Sequence, residues 1–323
     1  MSPHKISDNH RHLMLSRFMM GNGVSIINMP FSGGQPKDGA ELAPEMVEKA
    51  GLVDDLEHLG YDVKLIQNPE FKSRPSKEGP NQALMKNPLY VSNVTRQVRD
   101  AVQRELEQQR VVVNIGGDHS LAIGTVEGVQ AVYDDACVLW IDAHADINTP
   151  ESSPSKNLHG CPLSFSLGYA EPLPEEFAWT KRVIEERRLA FIGLRDLDPM
   201  ERAFLRERNI AAYTMHHVDK YGIGRVVEMA MEHINPGKRR PVHLSFDVDA
   251  CDPIVAPATG TRVPGGLTFR EAMYICEAVA ESGTLVAVDV MEVNPLLGNE
   301  EEAKTTVDLA RSIVRTSLGQ TLL

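Results

Sequence analysis

Three short stretches of the chain concentrate acids and imidazoles at close spacing. Asp142, His144 and Asp146 stand two apart in WIDAHAD, directly after the apolar run ACVL. Asp247 and Asp249 stand two apart in SFDVDACDP, after VHL. Asp118 and His119 close VVVNIGGDHS. Side chains two apart on a strand share a face, so an extended chain aims each set one way. Buried polar groups without partners cost roughly 1–3 kcal/mol each, and something must compensate them. A single set could be a hydrogen-bonded strand end meeting solvent. Three sets, each ending an apolar run, point to one crevice, because ligands of open α/β sheets collect beyond the carboxyl ends of parallel strands.

Taken together, Asp142, Asp146, Asp247 and Asp249 with His119 and His144 offer four carboxylates and two imidazoles. Four negative charges balance two divalent cations. A set dominated by oxygen suits a hard metal such as manganese better than structural zinc, which prefers thiolates and imidazoles. Carboxylates can bridge, so six side chains can hold two ions, and a close pair of ions yields hydroxide at neutral pH. Cys251 follows Asp249 by two, but a thiolate is soft for this set, and it reads as a small buried residue. Asp118 reads as a support that orients His119 or a neighbouring loop. FSGGQPKDG lacks the spacing of a phosphate cradle and reads as a tight loop after the first strand. No dinucleotide fingerprint, phosphate loop or nucleophile elbow competes with the metal reading.

Something rigid must hold these groups. Apolar runs rich in β-branched residues recur at 24–29, 61–66, 110–115, 137–142, 189–194, 242–247 and 285–290. Most lack polar alternation, as expected of parallel strands buried on both faces. Helical periodicity lies between them. Val94, Val98, Val102 and Leu106 recur every fourth residue, with Ser92 as a candidate N-cap. Thr268 and Glu271 have capping-box spacing, with Gly283 placed to end that helix, and Val307, Ile313, Val314 and Leu318 pattern a last one. The run KRVIEERR at 181–188 reads as a solvated helix face. Strands alternating with helices predict α/β architecture, a mostly parallel sheet wrapped by helices. No repeat or linker interrupts the pattern, so residues 1–323 read as one domain.

Composition narrows the partners. Forty-five acids against 33 bases leave a formal charge of −12, which argues against nucleic acid and against an anionic membrane surface. The four cysteines form no CxxC pair, and the basic stretch at 1–20 shows no clear amphipathic face. A cytoplasmic, reducing location is the expectation.

GGDHS, DAHAD and SFDVDACDPIVAPATGTRVPGG resemble the three signatures of the ureohydrolase family, which includes arginases and agmatinases. The resemblance runs from about Gly23 to the C-terminal helix. It implies an α/β fold, a three-layer αβα sandwich with a mostly parallel sheet of about eight strands, together with two Mn2+ ions per chain and a bridging hydroxide that attacks a guanidinium carbon. Finer matches resemble the arginase branch, whose reaction turns L-arginine and water into L-ornithine and urea. By that resemblance Asp146 handles the nucleophile's proton, His159 in NLHG relays protons, and Glu292 in DVMEVNP faces the guanidinium. Asn148, Ser155 and Asn157 would contact the substrate carboxylate, with Ser153 nearby; Asp198 would meet the α-ammonium, with Glu201 beside it. Thr261 in APATGT completes the substrate set. Pro154, between two serines, departs from the Thr-rich stretch of many arginases. Each residue has a plainer reading: Asn148, Ser155 and Asn157 as turn residues, Asp198 as a helix cap, Glu292 as an arginine's partner. The resemblance also implies a homotrimer or homohexamer. Agmatinase or another guanidino-substrate ureohydrolase is the nearest alternative. A one-metal deacetylase and a non-catalytic metal-stabilised binding protein are the others.

Overall fold

The computed structural model describes residues 16–67 and 79–321. Eight strands form one all-parallel sheet: β1 (Gly23–Asn28), β2 (Asp62–Gln67), β3 (Val111–Ile115), β4 (Cys137–Ile141), β5 (Leu189–Leu194), β6 (Ala211–Thr214), β7 (Val242–Asp247) and β8 (Leu285–Met291). Their order is β2-β1-β3-β8-β7-β4-β5-β6. The seven strands expected from apolar runs all form, with ends shifted by one residue at most. β6 was not anticipated: AAYT is four residues long and half-buried at the sheet edge, so it carries no apolar run.

Ten α-helices complete the described fold: α1 (Ala43–Lys49), α2 (Leu52–His58), α3 (Pro88–Glu107), α4 (Ala122–Val132), α5 (Pro162–Ser166), α6 (Pro199–Glu207), α7 (Met215–Tyr221), α8 (Ile223–Ile234), α9 (Phe269–Ser282) and α10 (Glu300–Ser317). They cover both faces of the sheet. α3, α4 and α5 pack as one layer, while α8, α9, α10 and α1 form a contiguous row. Between these layers every residue of β3, β4, β7 and β8 is buried, which explains their missing alternation. No helix among the described residues is long and apolar enough to cross a membrane.

The helix signals held at some ends and failed at others. Thr268 and Glu271 make the capping box of α9, and Gly283 closes it in the left-handed conformation at φ 63°. Ser92, however, lies inside α3, which starts a turn earlier at Pro88. A proline at the first position begins a helix without sacrificing a bonded N–H, so Pro88 outcompetes the later serine. The 181–188 run is no helix face: only Glu186–Arg188 makes a single 3-10 turn. Arg182 still pairs with Glu186 at 2.8 Å, but Arg188 is buried, bonded to the Asp134 and Ala136 carbonyls. The first 15 residues of the N-terminal basic stretch lie outside the described residues.

Two close approaches bring the first loop and α4 to the sheet end. A Cβ at Gly117 would sit 1.6 Å from the Phe31 carbonyl oxygen, so only glycine lets the loop after β1 lie against the turn after β3. At Gly124 in α4, a Cβ would fall 2.1 Å from the Thr95 carbonyl oxygen of α3. Gly124→Ala should therefore destabilise the protein by about 1–3 kcal/mol through overpacking. Urea unfolding with the wild-type m-value and an unchanged midpoint would show that α3 and α4 part freely.

Candidate metal centre

β3, β8, β7 and β4 are consecutive in the sheet and parallel, so their carboxyl ends open along one edge. His119 begins the 3-10 turn after β3. Asp142, His144 and Asp146 lie in the loop after β4, Asp247 ends β7, and Asp249 lies in the turn that follows it. Glu292 directly follows β8. Five of the six expected metal ligands are buried, and His144 is partly exposed.

Their atoms converge in two groups. His119 Nδ1 lies 3.2 Å from Asp142 Oδ2, 3.3 Å from Asp146 Oδ2 and 3.2 Å from Asp247 Oδ2. His144 Nδ1 lies 3.3 Å from Asp142 Oδ1 and 3.2 Å from Asp249 Oδ2. Asp142 thus presents one oxygen to each group. In each of the sets His119, Asp142, Asp146 and Asp142, His144, Asp249, the ligand atoms lie within 4.8 Å of one another. Oxygen-rich sets of this spacing fit hard divalent cations. Cys251 is buried, burial pushes its thiol above the ordinary value, and it belongs to neither group.

Strand alternation is not what produces the convergence. β4 ends at Ile141, so the three polar residues lie beyond the strand. Asp146 turns back through the left-handed region at φ 54°. Glu292 does the same at φ 65°. Few non-glycine residues sit there, and such strain clusters at functional sites.

The site is electrostatically tense without cations. Burial drives Asp146 and Asp247 well above the carboxylate range, and neighbouring acids add to it. Burial works against charge on His119 and His144 too, but the surrounding acids outweigh it and raise both imidazoles. Asp142 also feels burial, yet its two imidazole partners hold it below the usual range. Protons therefore do part of the work that cations can do.

A cavity of about 250 Å³ opens onto these groups, lined by His144, Asp146 and Asp247, by Asn148, Ser153, Ser155 and Asn157, and by His159, Asp198, Glu201 and Thr261. Asn148 Nδ2 donates to Asp198 Oδ2 at 2.8 Å. Ser155 Oγ accepts from the Asn157 N–H at 3.2 Å, and Asn157 Oδ1 is buried without a partner. Pro154 is exposed between the two serines, and Ser153 Oγ lies 3.5 Å from Ser155 Oγ. Glu201 uses both oxygens on backbone, accepting from Ile147 at 3.2 Å and Asp198 at 3.0 Å. Thr261 Oγ1 donates to Asp249 Oδ2 at 2.7 Å, which engages it with the metal groups.

Among the described residues Glu292 pairs with no arginine. Its Oε1 accepts from the His119 N–H at 2.9 Å and lies 3.1 Å from His159 Nδ1, while Oε2 is buried with no partner among them. Burial opposes charge on both, but their contact prevails: His159 is raised and Glu292 lowered. Asp118 holds the first loop, its Oδ2 accepting from the Gly34 N–H at 2.8 Å.

Several contributors were not singled out in the sequence. Gln35, Pro36 and Lys37 line the cavity. Their signal was present, since they follow β1 at the same edge of the sheet. Arg195 binds the carbonyls of Asp249 at 2.6 Å, Ala250 at 3.0 Å and Val263 at 2.7 Å, pinning the turn that carries Asp249. Trp140 Nε1 donates to Asp142 Oδ2 at 2.9 Å.

The Arginase family model matches residues 22–319 of this chain. An arginase of Schizosaccharomyces pombe is 88% identical over 323 residues, covering 100% of both chains. The solved arginase of Bacillus caldovelox superposes with a TM-score of 0.84 at 35% identity, covering 94% of this chain and 100% of its own. An Entamoeba histolytica arginase solved in complex with L-ornithine superposes with a TM-score of 0.81 at 29% identity, covering 94% of this chain and 100% of that one. The chain belongs to the arginase family of metal-dependent hydrolases.

Two outcomes follow from the geometry. Asp142→Ala should remove cation binding at both groups, whereas Asp249→Ala should spare the group around His119. Calorimetric titration of metal-free protein with Mn2+ reads this, and full binding by Asp142→Ala would remove its shared role. Burial also raises Glu201 to about 7 from an ordinary 4.5. Between those values the unfolded chain has lost this proton and the folded protein keeps it, so metal-free stability should fall as pH rises. Glu201→Gln should flatten that slope by about 3 kcal/mol across the window, read by urea melts at each pH.

Proposed function

We propose that this member of the arginase family hydrolyses L-arginine to L-ornithine and urea, with two Mn2+ ions held by His119, Asp142, His144, Asp146, Asp247 and Asp249. The carrying observation is one cavity lined both by a member of each acid–imidazole group, Asp146 and His144, and by a loop of short donors with an acid beside it. When bound, such a pair of cations supplies an ionised water at neutral pH.

The protein's own groups account for the remaining steps. Glu292 Oε2, buried and free of partners, is the acceptor a guanidinium requires, and its Oε1 is fixed by His119 and His159. Asp146 stands beside His119 on the cavity wall and takes the proton of the attacking water. Ornithine leaves as an amine and needs a proton back, which Asp146 returns. His159, partly open to solvent, exchanges protons between the cavity and bulk water. Asn148, Ser155 and Asn157 bind the α-carboxylate, and Asp198 with Glu201 faces the α-ammonium. The ornithine complex of the Entamoeba relative supports an amino-acid product.

The chain works as one catalytic domain and, by family resemblance, as a homotrimer or homohexamer in the cytoplasm. Agmatine, which lacks the carboxylate, is the discriminating alternative substrate.

Asp146→Asn should lower kcat on the order of 10²–10⁴-fold, and near-normal turnover would refute its role. Urea release from arginine and not from agmatine is expected; the opposite preference would make the chain an agmatine hydrolase. Chelation should abolish activity, with Mn2+ restoring it at two ions per chain, whereas one tightly held zinc would overturn the metal assignment.

A further inference from the structure

A buried polar chain meets His119 at the ring nitrogen that the cation groups leave over, and the steps above make no use of it. Its centre is Asp289, inside β8 and fully buried. Asp289 Oδ1 accepts from Asn114 Nδ2 of β3 at 2.7 Å. Its Oδ2 accepts from Thr125 Oγ1 of α4 at 2.7 Å and from Ser245 Oγ of β7 at 3.2 Å, and His243 Nε2 lies 2.8 Å away. Ser245 Oγ lies 2.9 Å from His119 Nε2. Burying a carboxylate is costly even when it is fully bonded. A valine like the adjacent Val288 and Val290 would avoid that cost, so the acid calls for a role.

The hydroxyl supplies it. Serine has one proton, and here it is donated to Asp289. Ser245 Oγ can then only accept from His119, which places the imidazole proton on Nε2. With the imidazole neutral, as a cation ligand must be, the lone pair is then on Nδ1, the nitrogen facing Asp142, Asp146 and Asp247. Trp140 stacks on the ring at 4.1 Å and 8°, holding its plane. Among the described residues the second group has no counterpart: the acid nearest His144 Nε2 is the exposed Asp196 carboxylate, 3.8 Å away.

We propose that Asp289, acting through Ser245, is a positioning residue that fixes the tautomer and direction of His119 and so sets the affinity of the cation site His119 shares. This rests on His119 being a metal ligand, as proposed above. Outer partners of metal-binding histidines typically govern affinity about 10–100-fold.

The test is titration of metal-free full-length protein with Mn2+, followed by calorimetry and electron paramagnetic resonance. Wild type should take two ions and show the spectrum of a coupled pair. Ser245→Ala and Asp289→Asn should each weaken one ion about 10–100-fold, leave the other unchanged, and give an isolated-ion spectrum at limiting metal. Ser245→Thr keeps the hydroxyl and should restore the pair. Equal weakening of both ions, with no rescue by threonine, would reduce the chain to a structural role and overturn the proposal. So would two wild-type affinities in Ser245→Ala. Wild-type protein that binds no ion would instead overturn the ligand assignment itself. If Asp289→Asn fails to fold, the Ser245 pair decides alone.

Discussion

Mutual repulsion among buried carboxylates is the constraint around which this protein is arranged. Asp142, Asp146 and Asp247 each place an oxygen within about 3.3 Å of one imidazole nitrogen. Two like charges 4 Å apart repel by about 4 kcal/mol at the effective dielectric of protein sites. Without cations, protons on Asp146, Asp247, His119 and His144 absorb the repulsion. Divalent cations held by the same groups would absorb it better. A site under such pressure opens unless its supports are stiff. Four adjacent strands buried on both faces provide that stiffness, and Arg195 ties the turn that follows β7.

Backbone strain is placed where the side chains must turn inward. Asp146 and Glu292 both adopt left-handed conformations, and each is held by a backbone bond from elsewhere. The Leu163 N–H donates to the Asp146 carbonyl at 3.1 Å, and the Glu292 N–H donates to the Gly117 carbonyl at 2.8 Å. Gly117 is also the residue against which the first loop packs. One close approach thus positions Glu292, His119 and the loop that carries Gln35 and Lys37.

Much of this was legible because the buried sheet and the cation groups leave different marks. Central strands show as largely apolar runs, and their ends show as sudden acids and histidines. What stayed hidden had weaker marks. β6 is short and half-buried, and α3 is started by Pro88 rather than by a capping serine. The convergence of Asp142, His144 and Asp146 was read from strand alternation, yet it arises in a loop, whose path depends on contacts far away in sequence. Asn114, Ser245 and Asp289 interrupt otherwise apolar strands, and that interruption was the signal of the network behind His119. Sequence cannot say which strand lies beside which, so the three could not be joined until β3, β8 and β7 were seen as neighbours.

The plain and functional readings of Asp198 are not rivals. It is the N-cap of α6, and its N–H bonds Glu201 within a capping box. The same carboxylate accepts from Asn148 and lines the cavity. Glu201, held near neutrality by burial, reaches back to the backbone beside Asp146. A cation arriving at this helix end would favour the ionised form of Glu201. Ionised acids also suit the positive end of the helix dipole and strengthen bonds to the N–H groups of Ile147 and Asp198. Under the proposed binding mode, an ammonium group here would tighten the start of α6 and the segment that carries Asp146 together. In that reading the helix cap links the fit of the amino-acid end of a ligand to the placement of Asp146.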